Sequence, residues 1–229
     1  MKKKKIFEGR SKKIYEIDSE NELLLEFKDE FYNPKSRRKT AIKSKGAINN
    51  QVSSHLFRYL DSYHIPTHFL EQVSKREMRI KKIEMIPIKV MVRNIAFGDL
   101  VERFGIEEGV ELDCPVLEYY FKDDKKQNAL INEDHIVVFG HATNTELKEI
   151  HRLSSKINVV LKDFFRRRNY KLVDARLEFG RYRDRIVLGD EISPETCQLW
   201  DLENDCALNM AGPPSALEKE YQQIAERLA

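Results

Sequence analysis

The chain has 229 residues, 41% hydrophobic and 34% charged, with 40 Lys+Arg against 38 Asp+Glu. That composition excludes a disordered or collagen-like polymer, and a net charge of +2 does not supply the single-sign field of a dedicated nucleic-acid or membrane-surface binder. The length supports one or two domains with a substantial core, and three cysteines without a CxxC pair (Cys114, Cys197 and Cys206) exclude a disulfide scaffold and fit reduced thiols in a cytosol.

The basic start, Met1 to Lys5, is followed by Glu8 and Gly9 rather than an apolar stretch, so a solvated terminus and no signal peptide are expected. No run approaches the roughly 18 apolar residues of a membrane span. Gly9-Arg10-Ser11-Lys12 falls on a tight turn between a short first strand and the next. Backbone N–H groups and lysines there can cradle polyphosphate, although GxxxxGK[ST] is absent and glycine with lysines is also ordinary turn chemistry.

Runs at 12–17, 22–28, 67–73, 77–83 and 87–93 read as strands of an antiparallel sheet, and Ile48, Val52, Leu56, Tyr59 and Leu60 predict a helix over 46–61. Arg93 to Asp99 closes the strand at 87–93 and opens a helix through Leu100, Val101 and Phe104. An arginine beside a helix N-terminus suits an anion, which Asp99 would repel. Thr143 and Glu146 form a capping box for a helix with an apolar stripe from Leu147 to Phe165. The arginines at 166–168 suit either its dipole or a phosphate patch. A hairpin, 171–179 with 185–189, turns at Arg183-Asp184. Pro213-Pro214 precedes a last helix capped by Ser215 with Glu218. The expected class is α+β, with an N-terminal lobe over 1–85 and a C-terminal lobe over 86–229.

Strand alternation puts Val173, Ala175, Leu177 and Phe179 on one face and Asp174, Arg176 and Glu178 on the other. A turn centred near Arg183 sets Glu178 opposite Leu188 and Asp190 diagonally across, within roughly 7–8 Å of its cross-strand neighbours. Those two carboxylates can share Mg²⁺ with waters and nucleotide phosphates. A solvated strand face with Arg176 as cross-strand partner accounts for the same pattern. The six histidines show no ligand spacing such as HExxH.

GRSKKIYEI, KGAINNQVSSHLFRYL, VMVRNIAFGDLVERFGIEEGVEL, FKDD with INEDH, KLVDARLEFG and VLGDEISPETCQLWD form an ordered series that resembles the SAICAR synthetase family over most of the chain. The resemblance implies a two-lobed α+β fold distantly like protein kinases and ATP-grasp enzymes, with ATP and Mg²⁺ between the lobes. It implies a purine-pathway ligase that joins carboxyaminoimidazole ribonucleotide to aspartate through an acyl phosphate. Gly9, Arg10, Ser11, Lys12 and Lys122 then correspond to nucleotide-binding residues, Glu178 and Asp190 to the Mg²⁺ carboxylates, and Lys12 and Arg176 to the catalytic cations. Arg93, Asp99, Asp174, Arg176 and Gln198 correspond to the acid-substrate pocket. The partners implied are a small carboxylic acid and an amino acid in the cytoplasm, with no membrane or nucleic acid; a homo-oligomer is compatible with this.

Several positions depart from the family pattern. Asp99 stands where the family has a serine facing the phosphoribosyl substrate, Gln198 where it has an arginine, and Arg10 and Arg176 where it has lysines. The loop Phe31 to Ser36 replaces a small-residue loop, with Lys35, Arg37, Arg38 and Lys39 upon or beside it. A lysine- and arginine-rich stretch has no counterpart in Asp201 to Pro214. Three functions therefore stand side by side: the family reaction with a rearranged phosphate pocket, a paralogue ligase for an unphosphorylated acid, and a non-catalytic nucleic-acid-binding or regulatory protein.

Overall fold

The computed structural model describes residues 3–32, 39–122, 129–203, 206–208 and 213–228. Strands β1 (Lys4–Glu8), β2 (Lys12–Ile17) and β3 (Ser19–Phe27) lead into a small pair, β4 (Glu30–Tyr32) and β5 (Lys39–Ala41). Helix α1 (Lys45–Ser62) follows, then β6 (Phe69–Gln72) and β7 (Glu77–Lys81). The first sheet is antiparallel in the order β1-β2-β3-β7-β6. Leu23, Leu25 and Phe27 of β3 and Met78 and Ile80 of β7 present an apolar face. Against it α1 buries Ile48, Val52, Leu56 and Leu60, spaced four residues apart on one side of the helix.

The run at 87–93 does not join that sheet. It is the middle of β8 (Glu84–Ile95), the opening strand of a second, seven-stranded sheet. After β8 come α2 (Asp99–Phe104), β9 (Glu111–Phe121), β10 (Leu130–Ile131), α3 (Glu133–Val138) and α4 (Asn144–Arg166). Then follow β11 (Tyr170–Tyr182), β12 (Arg185–Leu188), β13 (Cys197–Asp201), β14 (Cys206–Ala207) and α5 (Pro214–Leu228). The sheet order is β10-β9-β8-β11-β13-β14, with β12 paired to β11.

One face of this sheet is core. Ile86, Ile88, Val90 and Val92 of β8 and Ala175, Leu177 and Phe179 of β11 meet the stripe of α4, including Leu147, Ile150, Ile157, Leu161 and Phe164. The intervening positions of both strands are left on the opposite face, and that face is polar. The capping box at Thr143 and Glu146 is present as expected. At the other helix the expectation fails: α5 begins at Pro214, so Ser215 is already helical. Proline has no N–H to lose in a first helical turn and its fixed φ suits that position. Glu218 instead accepts the backbone N–H of Lys43 at 3.1 Å. α5 then packs on α1 through Leu217, Tyr221, Ile224 and Leu228.

Candidate active site

The polar face spans β9, β8, β11 and β13. Asp174 pairs with Arg93, Arg176 with Met91, and Glu178 with Lys89; Met91 and Lys89 pair in turn with Glu118 and Tyr120, and Asp174 pairs with Gln198 on its other side. Directly paired residues share a face, so these side chains line one surface.

The hairpin register differs by one residue from the expected one. Arg183 and Asp184 both adopt positive φ, 46° and 59°, which is the two-residue turn whose twist matches its strands. That turn pairs Tyr182 with Arg185 and Phe179, not Glu178, with Leu188. Continued regularly, the ladder would set Asp190 across from Leu177 and aim it at the core. Instead the Gly189 N–H donates to the Glu178 carbonyl at 2.8 Å and the chain turns at Asp190, whose φ is 59°. A left-handed conformation is uncommon outside glycine, although aspartate is among the residues that tolerate it. The turn brings the Asp190 carboxylate close enough to Glu178 for the two to repel.

Each of these carboxylates holds a lysine. Lys12, at the start of β2, pairs with Asp190 and lies 3.0 Å from Glu191 Oε1, while Lys122, just past β9, pairs with Glu178. Ser11 Oγ donates to Glu191 Oε1 at 3.2 Å. Burial opposes the charge on Lys12, but Asp190 and Glu191 overcome it and raise its pKa. Burial likewise opposes the charge on Asp190, and Lys12 more than offsets it, leaving that carboxyl well below the usual range. Glu178 goes the other way: burial and the charge of Asp190 raise it against the pull of Lys122.

Among the described residues no group of three or more acidic, histidine or cysteine side chains forms a closed metal cage. The donor set here is two carboxylates, hard oxygen ligands that match Mg²⁺ completed by waters and phosphates. Arg176, between Asp174 and Glu178 on the same face, keeps its Nε buried without a hydrogen-bond partner among the described residues. The Gly9 N–H closes its turn on the Lys12 carbonyl at 2.9 Å, and the exposed Arg10 guanidinium lies 4.4 Å from the Tyr32 ring centroid.

At the far end of the face, Arg93 is buried and surrounded. Its Nε donates to Glu118 Oε2 at 2.8 Å, its Nη1 to Asp174 Oδ2 at 3.4 Å and its Nη2 to Asp99 Oδ1 at 2.6 Å. The expected anion site at the start of α2 is therefore already filled by carboxylates, and α2 is only six residues long. Asp174 is raised by burial, with Arg93 opposing.

Glu118, Tyr120 and Glu191 were not singled out by the sequence. The alternation of Leu117 and Tyr119 with Glu118 and Tyr120 was the available signal for the first two. The arginines at 166–168 serve α4 locally: Arg167 pairs with Asp163 at 2.8 Å and Arg168 lies over Phe164. Cys197 is buried, its thiol pushed up to about 12 by desolvation, which removes it as a nucleophile. Lys35, Arg37, Arg38 and the aspartates of FKDD lie outside the described residues. Lys39 pairs with Glu30 at 3.2 Å. No helix among the described residues is long and apolar enough to cross a membrane.

Residues 5–222 match the family model for SAICAR synthetase. The phosphoribosylaminoimidazole-succinocarboxamide synthase of Clostridium novyi is 42% identical over 232 residues, covering 100% of this chain and 99% of that protein. Among solved structures, the enzyme of the same name from Ehrlichia chaffeensis superposes with a TM-score of 0.94 at 37% identity, covering 98% of each chain. A SAICAR synthetase in complex with ADP gives 0.92 at 36% identity, covering 97% of each.

Proposed function

Because the chain belongs to the SAICAR synthetase family, we propose that its polar cleft joins a carboxylic acid to an amine at the expense of ATP, with carboxyaminoimidazole ribonucleotide and aspartate as the substrates of that reaction. ATP use is supported by the ADP held by a relative of the same fold. The acid's carboxylate attacks the γ-phosphorus; a P–O bond forms to the acid and the bond to ADP breaks. The amine then attacks the acyl carbon, a C–N bond forms, phosphate leaves with the C–O bond pair, and the proton lost from the nitrogen goes to the departing phosphate.

Phosphoryl transfer of this kind depends on positioning and charge neutralisation. Glu178 and Asp190 would hold Mg²⁺, which when bound neutralises charge on the phosphate oxygens. Lys12 and Lys122, now paired to those carboxylates, would turn to the phosphates as the metal takes their partners. Gly9, Arg10 and Ser11 lie on the turn beside Lys12 and complete the phosphate side. Arg176, with its unpartnered buried Nε, is suited to the reacting carboxylate and its acyl phosphate. Asp174 and Gln198, paired across β11 and β13, would face the acid substrate beside Arg93. Cys114 and Cys197, free thiols among the described residues, fit a cytoplasmic enzyme.

The observation that carries this reading is the pair Glu178 and Asp190, brought together by a left-handed turn and each neutralised by a lysine. Replacing either with Ala is expected to lower Mg²⁺-dependent ADP release by at least 100-fold, with the far-UV circular dichroism unchanged. Undiminished release in both variants would remove the metal assignment.

A further inference from the structure

We propose that Asp99 is a resident counter-ion, occupying the one edge of Arg93 that a substrate's anionic group could reach, and so sets how the acid pocket ranks phosphorylated against unphosphorylated acids. The inference rests on the substrate pocket proposed above. Three edges of the Arg93 guanidinium are taken by three carboxylates that differ in kind. Glu118 and Asp174 project from sheet strands with side chains 8% and 14% exposed, whereas Asp99 comes from the six-residue α2 with its side chain 50% exposed. Only the Nη2 edge therefore opens toward the cleft; Asp99 Oδ1 sits on it at 2.6 Å, and the Tyr120 hydroxyl accepts from it at 3.2 Å.

Asp99 also has somewhere else to go. Its Oδ2 lies 3.6 Å from Arg103 Nη2 and 3.2 Å from the Tyr120 hydroxyl, whose one proton is shared between it and Glu118 Oε2 at 3.0 Å. Releasing Arg93 leaves it with both of those partners. Arg93 and Arg103 pair directly with three carboxylates, Asp99, Glu118 and Asp174, and Arg176 acts on Asp174 from two residues along β11, so an incoming dianion meets an arginine whose charge is already matched. A neutral hydroxyl meets no such opposition. Repulsion at a few ångströms in a partly buried site outweighs any single hydrogen bond the dianion would gain.

The test is the KM for two acids, carboxyaminoimidazole ribonucleotide and its dephosphorylated riboside, read by ADP release at saturating Mg·ATP and aspartate. Wild type is compared with Asp99→Ser and Asp99→Asn, the latter removing charge while keeping shape. The ratio of the ribonucleotide KM to the riboside KM is expected to fall tenfold or more in both variants. A ratio unchanged in both, or one that moves with Ser but not Asn, would overturn the inference. If neither acid supports turnover in any of the three proteins, the substrate reading fails separately. Inorganic phosphate, titrated by calorimetry, then decides: tighter binding to both variants sustains the counter-ion role, and equal binding ends it.

Discussion

His68 lies where the two sheets meet, its N–H donating to the Leu188 carbonyl at 2.8 Å, its ring edge-on to Phe57, and both ring nitrogens without partners among the described residues. Burial lowers its pKa from 6.5 to about 4; Asp190 opposes the shift, while Lys12 and Lys81 add to it. An imidazole whose folded pKa is depressed contributes stability above the unfolded value and loses it as the pH falls toward the folded one. Between pH 7 and pH 4 the wild type should thus lose about 3 kcal/mol relative to His68→Phe, since each pKa unit is worth about 1.4 kcal/mol. Urea unfolding of both proteins across that range measures it; a constant difference would mean that the folded ring protonates as freely as the unfolded one. Nothing in the spacing of the histidines announced this residue, because its burial arises from contacts between elements distant in sequence. Glu178 and Asp190 were legible as a pair, but for a reason the hairpin geometry does not support. The register that would have aligned them is off by one, and a single positive φ at Asp190 does the work instead. Backbone reversals at one non-glycine residue leave almost no trace in composition.

Helices show the same contrast between local and long-range signals. The start of α4 is written in four residues: Thr143 Oγ1 accepts the Glu146 N–H at 3.2 Å, and Glu146 Oε2 accepts the Thr143 N–H at 2.8 Å. Thr143→Ala should destabilise the protein by about 1 kcal/mol, the usual value of an N-cap. At α5 the same Ser-x-x-Glu pattern is present in the sequence, but the helix begins at Pro214, two residues before the start that a Ser215 cap implies. Ser215→Ala should therefore change stability by no more than about 0.5 kcal/mol, as for an ordinary exposed substitution. Thermal denaturation of the two variants side by side distinguishes the two helix starts; equal losses would restore Ser215 as a cap. The strand β9 was the larger omission. Asp113 and Pro115 interrupt its propensity, yet it supplies Glu118 and Tyr120 to the polar face through pairing with β8, a contact that no window along the chain reveals.

Across the whole molecule, the site joins the two sheets. Lys12 and Ser11 come from the first sheet, Glu178 and Asp190 with Glu191 from β11 and the segment after β12, and Thr67 bridges to Leu188 beside them. Two carboxylates already balanced by two lysines leave the cleft close to neutral, so neither component of Mg·ADP should bind well alone. A bare nucleotide that draws Lys12 and Lys122 to its phosphates would leave Glu178 and Asp190 unscreened, and a bare cation would displace those lysines without giving them anything to hold. On the proposed reading, Glu178 and Asp190 would hold the metal while Lys12 and Lys122 would turn to the phosphates, so the two binding events would favour each other. At 100 times its dissociation constant a ligand adds about 2.7 kcal/mol to folding. For a chain of this size that corresponds to a rise in Tm of roughly 5–11 °C. Mg²⁺ with ADP is expected to produce that rise, while ADP with EDTA, or Mg²⁺ alone, produces less than a third of it. In Asp190→Asn the apo protein keeps the Lys12–Glu191 contact but loses the Lys12–Asp190 pair and should melt below the wild type, and the excess conferred by metal and nucleotide together, measured from the variant's own apo Tm, should vanish. A full shift with ADP and EDTA would mean that the lysines serve the nucleotide without the metal, and the exchange of partners across the cleft would have to be abandoned.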